Sequence, residues 1–82
     1  MPEELPLVSR RLRDLREAAG LSIRALAEKA GLNHMTVAWL EWGRLPRMET
    51  LMRLADALGV TVQALVSEPK PTTKGRGRPE AK

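Results

Sequence analysis

The sequence predicts an all-α fold, and three observations carry that expectation. Apolar residues recur every three or four positions in five separate stretches, and no stretch alternates apolar and polar as a half-buried strand would. Glycines close four of these stretches, while Ser, Asn or Thr open three of them, which is the punctuation of helices. The chain has no cysteine, no Phe and no Tyr. Neither disulfides nor a thiolate metal site can brace it, so its interior must be a close-packed aliphatic one of Leu, Ala, Val and Ile.

In chain order, Val8, Leu12, Leu15 and Ala19 form the apolar stripe of a first helix that Gly20 ends. Ser22 offers a side-chain oxygen to the free N–H groups of a second helix, whose inward residues are Leu26, Ala27 and Ala30. Gly31 follows where that helix must stop, because glycine takes a left-handed backbone without a Cβ penalty. Asn33 caps a third helix that turns Val37 and Leu40 inward and ends at Gly43. A fourth carries Leu51, Leu54, Ala55 and Leu58 up to Gly59, and Thr61 opens a short fifth with Val62, Leu65 and Val66. Helices two and three, spanning about residues 22–42, are joined by so short a turn that they must cross closely. The small Ala27 allows that approach, and Ala27, Gly31 and Val37 together mark a helix-turn-helix.

Length and charge bound the function. The 82 residues suit one small domain over 8–68, with an N-terminal arm over 1–7 and a C-terminal tail over 69–82. Through Glu68 the nine basic residues are cancelled by nine acidic ones. The net charge of +4 therefore belongs to the tail, where Lys70, Lys74, Arg76, Arg78 and Lys82 face only Glu80. Pro, Gly and Thr there cannot build a core, so the tail is expected to be a disordered basic arm. No apolar run is long enough to span a membrane, and the start Met1-Pro2-Glu3-Glu4 is unlike a basic signal-peptide n-region, so a cytoplasmic protein is expected.

Catalysis and metal binding find no support. His34 is the single histidine, with no cysteine to help it hold a metal. Ser22 is better explained as a cap than as a nucleophile. We expect no enzyme and no cofactor. With no separate sensing domain in this sequence, control by a small-molecule inducer is not expected either.

LRDLREAAGLS, LAEKAGL, LEWG and PRMETLMRLADALGVTVQAL resemble, in order and spacing, the helices of the lambda-repressor-like (Xre-type, Cro-like) helix-turn-helix domains of bacteria and phages. The likeness covers about Leu12 to Leu65. It implies a five-helix domain that binds double-stranded DNA and regulates transcription, typically as a repressor acting as a dimer. By the same resemblance, Asn33, His34, Met35, Thr36 and Trp39 of the third helix would read bases in the major groove. Ser22, Trp42, Arg44 and Arg47 would hold phosphates, although the two arginines are equally readable as solvated loop charges. Arg16 of the first helix would pair with Glu41, the glutamate that closes the third. One position departs from the pattern: where relatives carry a glutamine that touches the DNA backbone, this chain has Ile23.

The third helix is unusually apolar on its outward side, with Met35, Trp39 and Trp42 at i, i+4 and i+7. Tryptophan is more often buried than exposed, so at least one of the two is expected to be partly in the core or packed on a neighbour. An exposed stripe of this kind suits thymine methyls and sugar faces, with indole N–H groups donating to phosphate. It equally suits a protein-docking face, which would make the chain an adaptor or antitoxin-like module.

In the tail, Arg76-Gly77-Arg78-Pro79 resembles the core of the AT-hook, with Glu80 where a basic residue is expected. Glycine lets such a strand sink into a narrow minor groove whose potential attracts both arginines. Lys74, Arg76, Gly77 and Arg78 are therefore candidates for minor-groove or phosphate contact. Val62, Leu65 and Val66, with Leu5 and Leu7, offer apolar surface for a weak homodimer, or finish a monomer's core.

Overall fold

The computed structural model describes residues 5–67, and the tail candidates Lys74, Arg76, Gly77 and Arg78 lie outside them. Five helices follow one another: α1 Leu7–Ala18, α2 Ile23–Ala30, α3 His34–Glu41, α4 Met48–Leu58 and α5 Val62–Val66. No strand occurs among the described residues.

Local chemistry sets the boundaries. The Ser22 hydroxyl accepts from the Ala25 N–H at 3.0 Å, and the Asn33 carboxamide oxygen accepts from the Met35 N–H at 2.7 Å. The Thr61 hydroxyl accepts from the Ala64 N–H at 3.2 Å. Each cap satisfies a backbone donor that a helix start leaves free. The other ends of α1 to α4 share one device, an N–H that returns five residues to a late carbonyl: Leu21 to Arg16, Leu32 to Ala27, Arg44 to Trp39 and Val60 to Ala55. At the turn between α2 and α3, Gly31 sits at φ 72°, and a Cβ there would meet Arg53 Nη1 at 3.2 Å. A side chain at this position is disfavoured by the left-handed backbone, while the half-exposed end of Arg53 can give way to a Cβ.

Ala19, expected as the last member of the inward stripe of α1, is exposed. The helix stops at Ala18, and Ala19 is its cap residue: its N–H still bonds the Leu15 carbonyl at 3.0 Å, but it stands at the end of the helix, where no neighbour covers it. Nearer the start of α1 an unexpected polar residue faces inward: Ser9 is buried, and its hydroxyl donates to the Leu40 carbonyl at 2.5 Å. That bond ties α1 to the last turn of α3 and removes the cost of burying an unpaired hydroxyl.

The core is aliphatic, built from Leu12, Leu26, Ala27, Val37, Leu40, Leu51, Leu54, Ala55 and Leu65, with Ile23 and Val62 half-buried against it. In it α2 packs on α3 and α4, and α1 packs on α3 and α5. Arg11 fastens the last helix by donating from Nε to the Ala64 carbonyl at 2.9 Å. The dimer surface expected on α5 is thereby reduced. Leu65 is fully buried in the core and Val62 half-buried, which leaves Val66, 43% exposed, as the free apolar side chain of that helix.

Candidate nucleic-acid interface

The geometry of α3 follows from what lies beneath it. Val37, Ala38, Leu40 and Glu41 are buried, so one side of this two-turn helix is committed to the core. Ala27 of α2, also buried, leaves room for the two helices to meet at the Gly31 turn.

Glu41 would be costly to bury alone. It is 3% exposed, and Arg16, with 12% of its side chain exposed, meets it with both donors of a fork. Nε reaches Oε2 at 2.6 Å and Nη2 reaches Oε1 at 3.1 Å. The remaining nitrogen, Nη1, donates to the Leu21 carbonyl at 2.8 Å. One guanidinium thus joins α1, the segment entering α2 and the end of α3. The hydrogen bond to Glu41, reinforced by the attraction of Glu41 and Glu17 and opposed by burial, holds Arg16 above its usual value. Its charge is therefore fixed at any pH at which the protein is handled.

The opposite side of α3 is open. Met35 is 36% exposed and Trp39 40%, while His34 and Thr36 are half-buried and Asn33 is exposed. Asn33 spends its carboxamide oxygen on the α3 cap, which leaves its NH₂ group as the part able to reach a ligand. Ser22 likewise accepts as a cap and keeps its hydroxyl proton for donation. The two tryptophans differ. Trp39 is partly covered by the guanidinium of Arg44, whose central carbon lies 4.8 Å from the ring centroid. Trp42, the residue that ends α3, is 63% exposed. Arg47 is exposed at the start of α4.

Arg24 is a residue that sequence reasoning did not single out. With Glu28, Leu32, Asn33 and His34 it lines an open cleft of about 370 Å³ between α2 and α3. Its place two residues after the Ser22 cap is the signal that was available. Among the described residues no group of His, Cys, Asp and Glu gathers to hold a metal, and no helix is long and apolar enough to cross a membrane. The arrangement offers a helix with a locked inner side, an open outer side rich in Trp and Met, and arginines at its exit.

Three comparisons place this architecture. The helix-turn-helix transcriptional regulator PuuR of Escherichia coli is 32% identical over 71 residues, which cover 85% of this chain and 38% of PuuR. The chain thus spans about two fifths of the length of that relative. The restriction-modification controller protein C.AhdI of Aeromonas hydrophila superposes with a TM-score of 0.69 at 37% identity, covering 71% of this chain and 89% of that one. SinR, a master regulator of biofilm formation from Bacillus subtilis, superposes in its complex with DNA with a TM-score of 0.69 at 27% identity, over 73% of this chain and 98% of that one. The helix-turn-helix domain family matches residues 7–68. The chain belongs to that family, in the lambda-repressor-like form that its sequence resembles.

Proposed function

We propose that this chain is a sequence-specific double-stranded DNA-binding transcriptional regulator, a repressor, that lays the outer side of α3 in the major groove. The observation that carries this reading is the division of α3. Its inner side is fixed by core packing and by the Arg16–Glu41 fork, while Asn33, Met35 and Trp39 are exposed and His34 and Thr36 half-exposed outside the core. A helix held out in this way matches the width of the major groove, with Ser22, Trp42 and Arg47 flanking it as phosphate ligands and Arg44 at its exit as a further DNA-contacting cation. The names of its relatives support the same reading: PuuR and SinR are regulators, and SinR was solved on DNA.

Two copies acting on a two-fold site complete the proposal, with the basic tail adding phosphate or minor-groove affinity. Selection from a random duplex pool at physiological salt tests it. The expected result is an enriched motif with half-sites about one helical turn apart. A folded protein that enriches nothing overturns the reading. The tail has its own test: replacing Arg76 and Arg78 by Ala should weaken binding to A·T-rich duplex selectively, and an equal loss on G·C-rich duplex reduces its role to charge.

A second reading is favoured by one observation, the exposure of Trp42 and Met35 beside Trp39. Such a surface suits a protein partner, and SinR has also been solved as a SinR–SinI complex, at 28% identity and a TM-score of 0.70 over 74% of this chain. The substitution Trp39→Ala separates the two. On the DNA reading it lowers duplex affinity; on the docking reading it spares DNA and abolishes a partner complex.

A further inference from the structure

We propose that Arg44, seated on the face of Trp39, reads a guanine edge, and that Trp39 is its positioning residue. The proposal rests on the DNA-binding reading above and assigns Arg44 a place in specificity rather than in the phosphate contacts of the loop.

The backbone brings the two residues together. Gly43 sits at φ 126°, a conformation that residues with a side chain rarely adopt, and the Arg44 N–H returns to the Trp39 carbonyl at 3.0 Å. The chain leaving α3 therefore folds back over the helix it has just left. The Arg44 guanidinium comes to lie 4.8 Å from the Trp39 centroid, over the outer side of α3 and not out in the loop. Arg47, three residues on, belongs to the start of α4.

What the stack leaves free matters most. The guanidinium lies over the ring without giving a hydrogen bond to any acceptor among the described residues, so its N–H donors stay available to a ligand. Among the described residues no hydrogen bond or ion pair engages the Arg44 side chain. A flat fork of donors held on the groove-facing side of a recognition helix is the complement of guanine O6 and N7, the commonest bidentate base contact. Preorganisation counts here because the chain through Glu68 is formally neutral, so the folded body adds no net attraction for the duplex. An arginine already fixed on an aromatic ring loses less freedom on binding than one waving in solvent. Trp39 acts in this scheme through Arg44, as the surface that holds the guanidinium over the outer side of α3.

The test uses the full chain and the duplex enriched from the random pool, with every base pair of a half-site varied in turn. Binding is measured for the wild type and for Arg44→Lys, Trp39→Phe, Trp39→Leu and the double variant Trp39→Leu with Arg44→Lys. Arg44 is exposed and Trp39 is 40% exposed, so every variant is compared at a temperature at which its own melting curve shows it fully folded. The wild type should demand guanine at one position of the half-site by roughly ten- to a hundredfold. Arg44→Lys and Trp39→Leu should each flatten that position alone, Trp39→Phe should keep most of it, and the double variant should lose no more than either single one.

Two results overturn the inference while leaving DNA binding intact. An even loss across all positions, with a salt slope lower by about one, makes Arg44 a phosphate ligand. Loss of a thymine preference at a different position in Trp39→Leu makes the indole itself the reader. A wild type that enriches no duplex removes both the DNA-binding reading and this inference.

Discussion

Replacing Glu41 by Ala should lower the stability of the domain by about 3–5 kcal/mol, because it strands the guanidinium of Arg16 in a largely covered site. Arg16 would keep its bond to the Leu21 carbonyl and the solvent-exposed Glu17 at 3.9 Å but lose both bonds to α3. A domain of this size holds only about 3–9 kcal/mol in total, so the variant should be largely unfolded near 37 °C. Thermal unfolding followed by far-UV circular dichroism measures the effect, and an unchanged melting temperature contradicts the clamp. A double replacement, Arg16→Met with Glu41→Leu, should recover much of the loss, since exchanging a buried pair for apolar side chains strands no charge. The folded value of Arg16 is raised, so the stability it contributes is fully present below its unfolded value and disappears only as pH rises through the higher folded one. Arg16 therefore adds no pH dependence in the neutral or mildly alkaline range.

Replacing Leu65 by Ala should cost about 2–5 kcal/mol, the usual range for emptying a fully buried leucine site. Leu65 is 0% exposed and belongs to the cluster that holds α5 on the rest of the bundle, a helix of five residues with little stability of its own. The loss should be the same at all protein concentrations, because the side chain serves the monomer's core. A loss that fades on dilution would instead mark Leu65 as an intermolecular contact, since mass action makes such stability depend on concentration. Val66→Ala is the control on the same helix, and it should change stability by less than about 0.5 kcal/mol.

Much of this fold is legible in the sequence because its helix boundaries are written in single residues. Ser22, Asn33 and Thr61 each cap a helix through their own side chains, and Gly31 turns the chain with a left-handed backbone. The division of α3 into inner and outer sides is likewise readable from the spacing of Val37 and Leu40. What is not readable depends on contacts far apart in the chain. Ser9 is an ordinary polar residue until α3 brings the Leu40 carbonyl to it, and Arg11 looks like a solvated charge until it meets Ala64, 53 residues away. Ala19 misleads because periodicity continues the α1 stripe one step past the end of the helix.

The candidate site shows the same limit. Two tryptophans three residues apart look equivalent in sequence, yet Trp39 carries Arg44 on its face while Trp42 stands open. The turn at Gly43 carries Arg44 back towards Trp39, a property of dihedral angles that residue types alone do not display. Arg24 is not legible as a site residue for a related reason: its cleft exists only once α2 and α3 are packed against each other.

The central claim is that the outer side of α3 is the surface that meets DNA. Titrating the ¹⁵N-labelled protein with the selected duplex and following backbone amide shifts tests it residue by residue. The account predicts the largest changes along Asn33 to Trp39, with further changes at Ser22 and from Arg44 to Arg47, and little change on the outer side of α4 and on α5. Shifts confined to residues 69–82, or centred on α4 or α5 with α3 unmoved, would contradict it.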